Sequence, residues 1–156
     1  MKRFAWRGEV IVARLDELEM AILLAVPALI AGVGEVGIDP AASRLEPAIH
    51  REDSERSAEF LRLAAGLIDE GRSADLALFA ACLERAETED WLTRQEAEAW
   101  IRVLTTARLI LGARLGIADD GWEDDGDVER DDPRVIALYI LGMLQEDLVD
   151  ALTATL

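Results

Sequence analysis

The stretch RLILGARLG, residues Arg108–Gly116, places two arginines six residues apart in an otherwise apolar run. At about 100° per residue, a helical wheel puts most of the nearby apolar residues on one arc. That arc contains Trp100, Val103, Leu104, Ala107, Ile110, Leu111 and Leu115. Arg114 falls inside the arc and Arg108 falls on its margin. Because further apolar residues lie on the other sides, the stretch predicts the central helix of a helical domain.

The two arginines of this helix need partners, because an unpaired buried charge is very costly. A guanidinium on an apolar face either reaches water along its aliphatic stem or pairs with a carboxylate. Arg114 lies in the predicted last turn, where a cation also favours the negative end of the helix dipole. We therefore expect Arg114 to form an ion pair or to cap that turn. Glu146 or a neighbouring acid of the last helix is the candidate counter-ion of Arg108 or Arg114. The alternative is that these arginines bind an anion or a partner.

Capping signals set the bounds of the central helix and of the helix that follows it. The sequence TRQE (93–96) is a capping box, and Gly116 is suited to the position just after a helix end. Asp132 and Pro133 form an N-cap and a first-turn proline, which begin a last helix running close to the C-terminus. Between the two helices lies an acidic loop, residues 119–132.

Upstream of the central helix, the pattern changes from alternating to helical. Residues 3–14 alternate around a turn at Gly8, which predicts a short hairpin. The hairpin should pack on the helices, because an isolated hairpin is marginal in water. A first helix begins near Asp16 and contains Pro27, and residues 35–53 form a linker with at most a short helical turn.

Two more helices are predicted between the linker and the central helix. The first begins at Ser54 and is broken at Gly71, and Ser73 caps the second. The sequence therefore predicts a mainly α protein with a single domain over residues 1–156. In it, a bundle of about five helices (about 16–155) carries an N-terminal β-hairpin (about 3–14) packed against it.

The composition limits the classes of partner. The chain has 32 acidic and 16 basic residues, a formal net charge of −16 at pH 7. The electric field of such a negative charge repels phosphate groups, so we expect neither nucleic-acid binding nor binding to anionic membranes. The longest charge-free run, Met20–Gly34, is shorter than the ~20 apolar residues of a spanning helix, so no membrane association is predicted. Cys82 is the only cysteine, which excludes an internal disulfide and fits a reducing cytoplasm.

No catalytic or metal-binding constellation is apparent in the sequence. His50, the only histidine, lies in a charged linker, where solvation is favoured over catalysis. The acidic loop 119–132 holds nine acids, but neither glycine register places ligands where a calcium loop needs them. We therefore predict no catalytic residue, no metal site and no cofactor. A carboxylate- or metal-dependent enzyme ranks last among the alternatives.

Two surfaces are candidates for binding a protein. Trp122 lies in the middle of the acidic loop, where an exposed aromatic side chain would anchor a partner; the alternative is a solvated loop. The last helix carries a second apolar stripe beside the one expected to face the core. That stripe comprises Ile136, Tyr139, Ile140 and Met143. Either this helix lies deep in the bundle, or the stripe is a dimer or partner surface.

Three segments carry a family resemblance: RGEVIVARLDELEMAIL (7–23), EAEAWIRVLTTARLILGARLGI (96–117) and ALYILGMLQEDLVDAL (137–152). Together they resemble the actinobacterial family known as domain of unknown function 2017. The motif positions of the family fall on Trp100, Arg108, Leu111, Gly112, Arg114, Leu115, Gly116, Gln145 and Glu146. The resemblance implies a small cytoplasmic protein, often encoded beside the adaptor of the Clp protease. Some members carry a transcriptional-regulator label.

These observations favour a non-enzymatic interaction or regulatory module that acts through a protein partner or a homodimer. The resemblance adds a link to Clp-type proteolysis through the gene context of the family. The alternative from another class is a DNA-binding transcriptional regulator, with the two helices around Gly71 as a helix-turn-helix. That segment offers Arg62 and Arg72 against three acids, so its charge disfavours DNA.

Overall fold

The computed structural model describes residues 2–34, 38–45, 54–86, 88–117 and 131–154, and it forms five helices and three strands in that part of the chain. The strands are β1 (Phe4–Arg7), β2 (Val10–Ala13) and β3 (Trp91–Leu92). The helices are α1 (Glu17–Ala31), α2 (Pro40–Leu45), α3 (Ser54–Arg85), α4 (Arg94–Arg114) and α5 (Pro133–Thr153). The expectation of a mainly α fold with an N-terminal hairpin is confirmed.

The predicted hairpin forms two strands of a three-stranded antiparallel sheet of order β1-β2-β3. β1 and β2 pair in a register that sets Phe4 opposite Ala13. Gly8, in the connecting turn, takes a φ of 68°, a conformation that favours glycine. β3 is only two residues long, too short to show an alternating pattern in the sequence. Phe4 and Ile11 are buried, so the sheet packs on the helices.

α4 is the central helix, in contact with the other four helices and with strands β2 and β3. It begins at the predicted capping box, in which Thr93 accepts from the backbone N–H of Glu96 and Glu96 accepts from the backbone N–H of Thr93. It ends at Arg114, and Gly116 follows with a φ of 74°. The buried apolar side chains of the predicted arc are Trp100, Val103, Leu104, Ala107, Ile110 and Leu111.

α3 runs without interruption through Gly71, so the predicted break at this glycine is wrong and Ser73 lies inside the helix. A glycine in a helix interior costs only about 1 kcal/mol relative to alanine. The second half of α3 offsets this cost by burying Phe79, Cys82 and Leu83 in the core. The continuous helix also lacks the turn that a helix-turn-helix around Gly71 would require.

Aspartates fix where three of the other elements begin. Asp16 and Asp132 cap α1 and α5 by accepting hydrogen bonds from backbone N–H groups. α2 is a short helix inside the predicted linker, and Asp39, just before it, accepts from the backbone N–H of Ala41. Pro27 lies inside α1, which forms one helix from residue 17 to residue 31.

Candidate functional site

Arg108 lies half-buried between α4 and α5. Its Nη1 donates to Oε1 of Gln145 at 2.7 Å, and Gln145 donates in turn to the Thr105 hydroxyl and the Ile101 carbonyl. The Nε of Arg108 is buried without a hydrogen-bond partner among the described residues. A Cβ added to Gly142 would lie 3.6 Å from the guanidinium. The expected carboxylate partner is therefore replaced by a neutral amide.

Arg114 pairs with a residue far away in the sequence. Its Nη2 lies 3.0 Å from Oδ2 of Asp39 and 3.4 Å from the carbonyl oxygen of Gly32. Asp39 also accepts from the backbone N–H groups of Gly34 and Ala41. The hydrogen bond from Arg114, followed by these two, lowers the pKa of Asp39 to about 2. The counter-ion of Arg114 thus comes from the predicted linker and not from the last helix.

The predicted partner stripe of α5 is divided between solvent and core. Ile136 and Tyr139 are 42% and 51% exposed, Met143 is half-buried, and Ile140 is buried. Glu146, the candidate counter-ion on the same helix, is exposed. In the part of the chain that the structure describes, neither arginine of the RLILGARLG stretch is paired with Glu146. In the part of the chain that the structure describes, the outer edge of the stripe is thus exposed, whereas Ile140 belongs to the core.

Two features singled out in the sequence lie outside the described residues. Trp122 and most of the acidic loop fall in the stretch 118–130, and His50 falls in 46–53. Among the described residues, no group of three or more His, Cys, Asp or Glu side chains is arranged to hold a metal ion. Within the same ranges, no helix combines the length and the apolarity that crossing a membrane requires.

A buried polar cluster that the sequence reasoning missed joins α3 to the start of α4. Two N–H groups of Arg85 donate to the two carboxylate oxygens of Glu96, at 2.9 and 3.1 Å. The Cys82 thiol donates to Oε2 of Glu96 at 3.1 Å, and the backbone N–H of Thr93 donates to Oε1 at 2.8 Å. Glu96 itself is only 8% exposed. We name these four residues, Cys82, Arg85, Thr93 and Glu96, the polar junction.

The polar junction holds its carboxyl group ionised and its thiol neutral. Burial alone would raise the pKa of Glu96, but hydrogen bonds from Arg85, Thr93 and Cys82 together lower it to about 2. Burial, and after it the hydrogen bond to Glu96, raises the pKa of Cys82 to about 11. Because the thiolate is the nucleophilic form, Cys82 is unreactive at neutral pH, and the cluster is suited to joining helices.

A similar arrangement lies at the start of α1. Glu19 occupies the third position of a capping box with Asp16, is buried, and accepts a hydrogen bond from Arg3. Arg3 also donates to Asp147 of α5 at 3.0 Å. In both helices, then, the capping-box glutamate is buried against an arginine of another element. The sequence signal for both clusters was the capping box itself, but no local pattern identifies the distant arginine.

The outward side of α1 is apolar along its length. Its exposed residues after Glu17 are Leu18, Ala21, Leu24, Ala25, Ala28 and Ala31, which we name the α1 outer face. They recur at steps of three and four residues and so share one side of the helix. Leu18 and Leu24 are 55% and 57% exposed. In a chain that is 31% charged, an uncharged helix side of this length is the kind of surface that binds a partner.

Comparison with known proteins identifies the family of the chain. The family model described as Domain of unknown function (DUF2017) matches residues 1–152 of the 156. No curated protein and no solved structure matches the chain. The match spans the described helices and strands except the last residue of α5, and it includes the α1 outer face and the polar junction. The chain therefore belongs to the DUF2017 family, a domain of unknown function.

Proposed function

We propose that this protein is a non-enzymatic interaction module that binds a partner protein through the α1 outer face. The observation that carries the proposal is the exposure of Leu18 and Leu24 on a helix side that carries no charge after Glu17, which stands at its N-terminal end. Isolated exposed leucines are ordinary in soluble proteins, but a continuous apolar side along a whole helix is not. Docking of an apolar helix against this side would remove both leucines from water, which is favourable.

The charge of the chain indicates what the partner presents. A second copy would bring another net charge of −16 to the contact, and like charges across an interface are repulsive. Asp16 and Glu17 are exposed at the N-terminal end of the same helix. A partner helix with an apolar stripe flanked by lysine or arginine would complement both the apolar face and its acidic surroundings. We therefore commit to a basic amphipathic helix of another protein as the occupant.

The gene context of the family extends this proposal to a regulatory role linked to Clp-type proteolysis in the cytoplasm. Trp122 and the outer edge of the α5 stripe stay predictions of additional contact sites. DNA is not a proposed partner, because the net charge is −16 and α3 is continuous where a helix-turn-helix was considered.

Two designed peptides test whether the α1 outer face binds such a helix. Both have the length of α1 and carry leucine and alanine on one helical side, while the opposite side carries lysine in one peptide and glutamate in the other. Binding is measured by fluorescence anisotropy at two salt concentrations. We expect the lysine peptide to bind, with weaker binding at higher salt, and the glutamate peptide not to bind.

Two double variants, neither of which changes the charge of the chain, test where the lysine peptide binds. Leu18→Ala with Leu24→Ala removes apolar area from the α1 outer face, and we expect the lysine peptide to bind about tenfold more weakly. The matched control is Leu63→Ala with Leu67→Ala, since these leucines of α3 are also highly exposed. Equal weakening by both variants would overturn the proposal. So would a stable homodimer that Leu24→Ala dissociates, measured by sedimentation.

A further inference from the structure

A cavity of about 480 Å³ lies between α1, α3 and α4. The residues that line it do not include those of the polar junction. Its volume falls in the range of small-molecule sites, about 300–1,000 Å³. The apolar part of its lining includes Ile30 of α1, Ile68 of α3 and Val103 of α4. Two arginines, Arg72 and Arg102, also line it. An apolar wall beside guanidinium groups is suited to a ligand with an aliphatic part and an anionic head.

Among the described residues that line the cavity, the polar groups leave one positive charge unbalanced. Asp75 accepts from Nε and Nη2 of Arg102 at 2.8 and 3.0 Å, so these two charges neutralise each other. Arg72 uses its Nη2 to donate to the carbonyl oxygen of Leu45 at 3.0 Å, a neutral acceptor. That bond fixes the side chain without cancelling its charge. Arg72 therefore supplies the net positive charge of a cavity in a strongly acidic protein.

Gly71 has no packing reason to be a glycine. It lies inside α3 without a positive φ, and a Cβ added there would meet no atom within 4 Å. Alanine would favour the helix at this position. Gly71 does, however, line the cavity together with Ala74, so the wall that α3 contributes is free of large side chains at these positions. The missing side chain leaves room beside Arg72.

We infer that this cavity binds a small aliphatic carboxylate, with its carboxylate on Arg72 and its chain against Ile30, Ile68 and Val103. A guanidinium matches a carboxylate in a two-bond geometry. One unbalanced positive charge favours a monoanion over a phosphate monoester, which carries about two negative charges at neutral pH. The same chemistry is offered by a free carboxylic acid and by the C-terminal leucine of a peptide. The site is independent of the α1 outer face.

The test is an NMR titration with hexanoate. The full chain carries ¹³C labels at its isoleucine and valine methyl groups. Hexanamide, which has the same chain without the charge, is the matched probe. We expect saturable shifts at Ile30, Ile68 and Val103 with hexanoate, and about tenfold or more weaker binding of hexanamide. The same titration is made with the peptide N-acetyl-alanyl-leucine and, as its uncharged control, with the C-terminal amide of that peptide. Tighter binding of the peptide than of hexanoate would identify a peptide C-terminus as the source.

Two variants localise the site and two matched variants act as controls. Arg72→Gln should weaken hexanoate binding about tenfold, whereas Arg62→Gln, on the exposed side of the same helix, should leave it unchanged. Gly71→Leu should abolish binding by occupying the space beside Arg72, whereas Gly71→Ala should retain it and raise Tm. Because Gly71→Leu keeps Arg72, it tests the site even if Arg72→Gln unfolds the protein.

Three results would overturn the inference. The first is an absence of saturable shifts at the three lining residues with both hexanoate and the peptide. The second is equal binding of hexanoate and hexanamide, which would remove the role of Arg72. The third is equal weakening by Arg62→Gln and Arg72→Gln. Each result leaves the α1 outer face untouched, because the peptide-docking variants Leu18→Ala and Leu24→Ala lie outside the cavity lining.

Discussion

Two charged side chains of α4, one in its first turn and one in its second half, are held in opposite ways. At its start, Glu96 accepts from two N–H groups of Arg85, from the Cys82 thiol and from a backbone N–H. Toward its end, Arg108 donates to the neutral amide of Gln145, and its Nε is buried without a partner among the described residues. The carboxylate of Glu96 accepts four hydrogen bonds, whereas Arg108 has a neutral acceptor and no carboxylate partner among the described residues. Within the same part of the chain, the Nε of Arg85 is also buried without a hydrogen-bond partner, but it lies 3.4 Å from a carboxylate oxygen of Glu89.

The difference shows why a buried carboxylate is easily accommodated at the start of a helix. A carboxylate in the first turn meets free backbone N–H groups and the positive end of the helix dipole, so one arginine completes its shell. A guanidinium has five N–H donors and needs several acceptors. Arg108 has instead a neutral acceptor, the side-chain amide oxygen of Gln145. The start of α4 should therefore contribute much of the stability, and Arg108 little.

The largest effect is expected from Glu96→Ala, which removes the carboxylate of the polar junction. Removing this carboxylate leaves Arg85 half-buried without its main counter-ion and removes the acceptor of the Cys82 thiol. Breaking one side of a buried ion pair costs about 3–5 kcal/mol, a large part of the stability of an ordinary domain. Urea unfolding followed by circular dichroism measures the loss.

Glu98→Ala is the matched control for this variant, because Glu98 is an exposed glutamate two residues further along the same helix. Its free energy of unfolding should differ from that of the parent by less than about 0.5 kcal/mol. If the free energy of unfolding of Glu96→Ala also stays within that range, the polar junction does not stabilise the fold. Glu96 and Arg108 would then not differ in what they contribute to stability.

Lowering the pH should remove the stability that ionised Glu96 contributes, without a mutation. The pKa of Glu96 is lowered from 4.5 to about 2 in the folded protein, so its ionisation stabilises the fold by about 3 kcal/mol at neutral pH. This contribution is complete above the unfolded pKa and is lost as the pH falls through the folded pKa. The difference in stability between the parent and Glu96→Gln should therefore be largest at pH 7 and roughly half as large at pH 3. A gap that does not change with pH would show that Glu96 is not held ionised by its partners.

The sequence predicted the local features of α4 but not the partners of its charges. The capping box and Gly116 mark its ends because both act through neighbouring backbone groups. Glu96 pairs with Arg85, eleven residues away, and Arg114 pairs with Asp39, 75 residues away. Such pairs depend on how the helices pack, which a helical wheel does not contain.

The same limit explains the error at Gly71. A glycine is a local signal for the end of a helix, and at Gly71 the local signal disagrees with the fold. α3 continues because the burial of Phe79, Cys82 and Leu83 contributes more than the glycine costs. Local patterns therefore predicted the fold class, whereas the polar junction and the cavity required the tertiary structure.

Arg114→Gln should have a smaller effect and tests the paired arginine at the end of α4. The variant removes the first of three hydrogen bonds that lower the pKa of Asp39, while those from Gly34 and Ala41 remain. We expect the pKa of Asp39 to rise from about 2 toward, but not to, its ordinary value of 3.8. A ¹³C-carboxyl NMR titration measures it. An unchanged pKa would show that Arg114 and Asp39 are not paired in solution.

The smallest effect is expected from Arg108→Met, which removes a guanidinium without a carboxylate partner among the described residues. Methionine keeps an unbranched side chain that reaches about as far as the Nε of Arg108, so it can occupy the space of the arginine stem beside Gly142. The variant removes a half-buried charge whose Nε has no partner, and replacing such a charge by an apolar group is often neutral or stabilising. The loss is the hydrogen bond to Gln145, which keeps its bonds to Thr105 and the Ile101 carbonyl. The free energy of unfolding should therefore stay within about 1 kcal/mol of the parent value, or rise. A loss as large as that of Glu96→Ala would mean that Arg108 has an ionic partner in solution, and Glu96 and Arg108 would then be held in the same way.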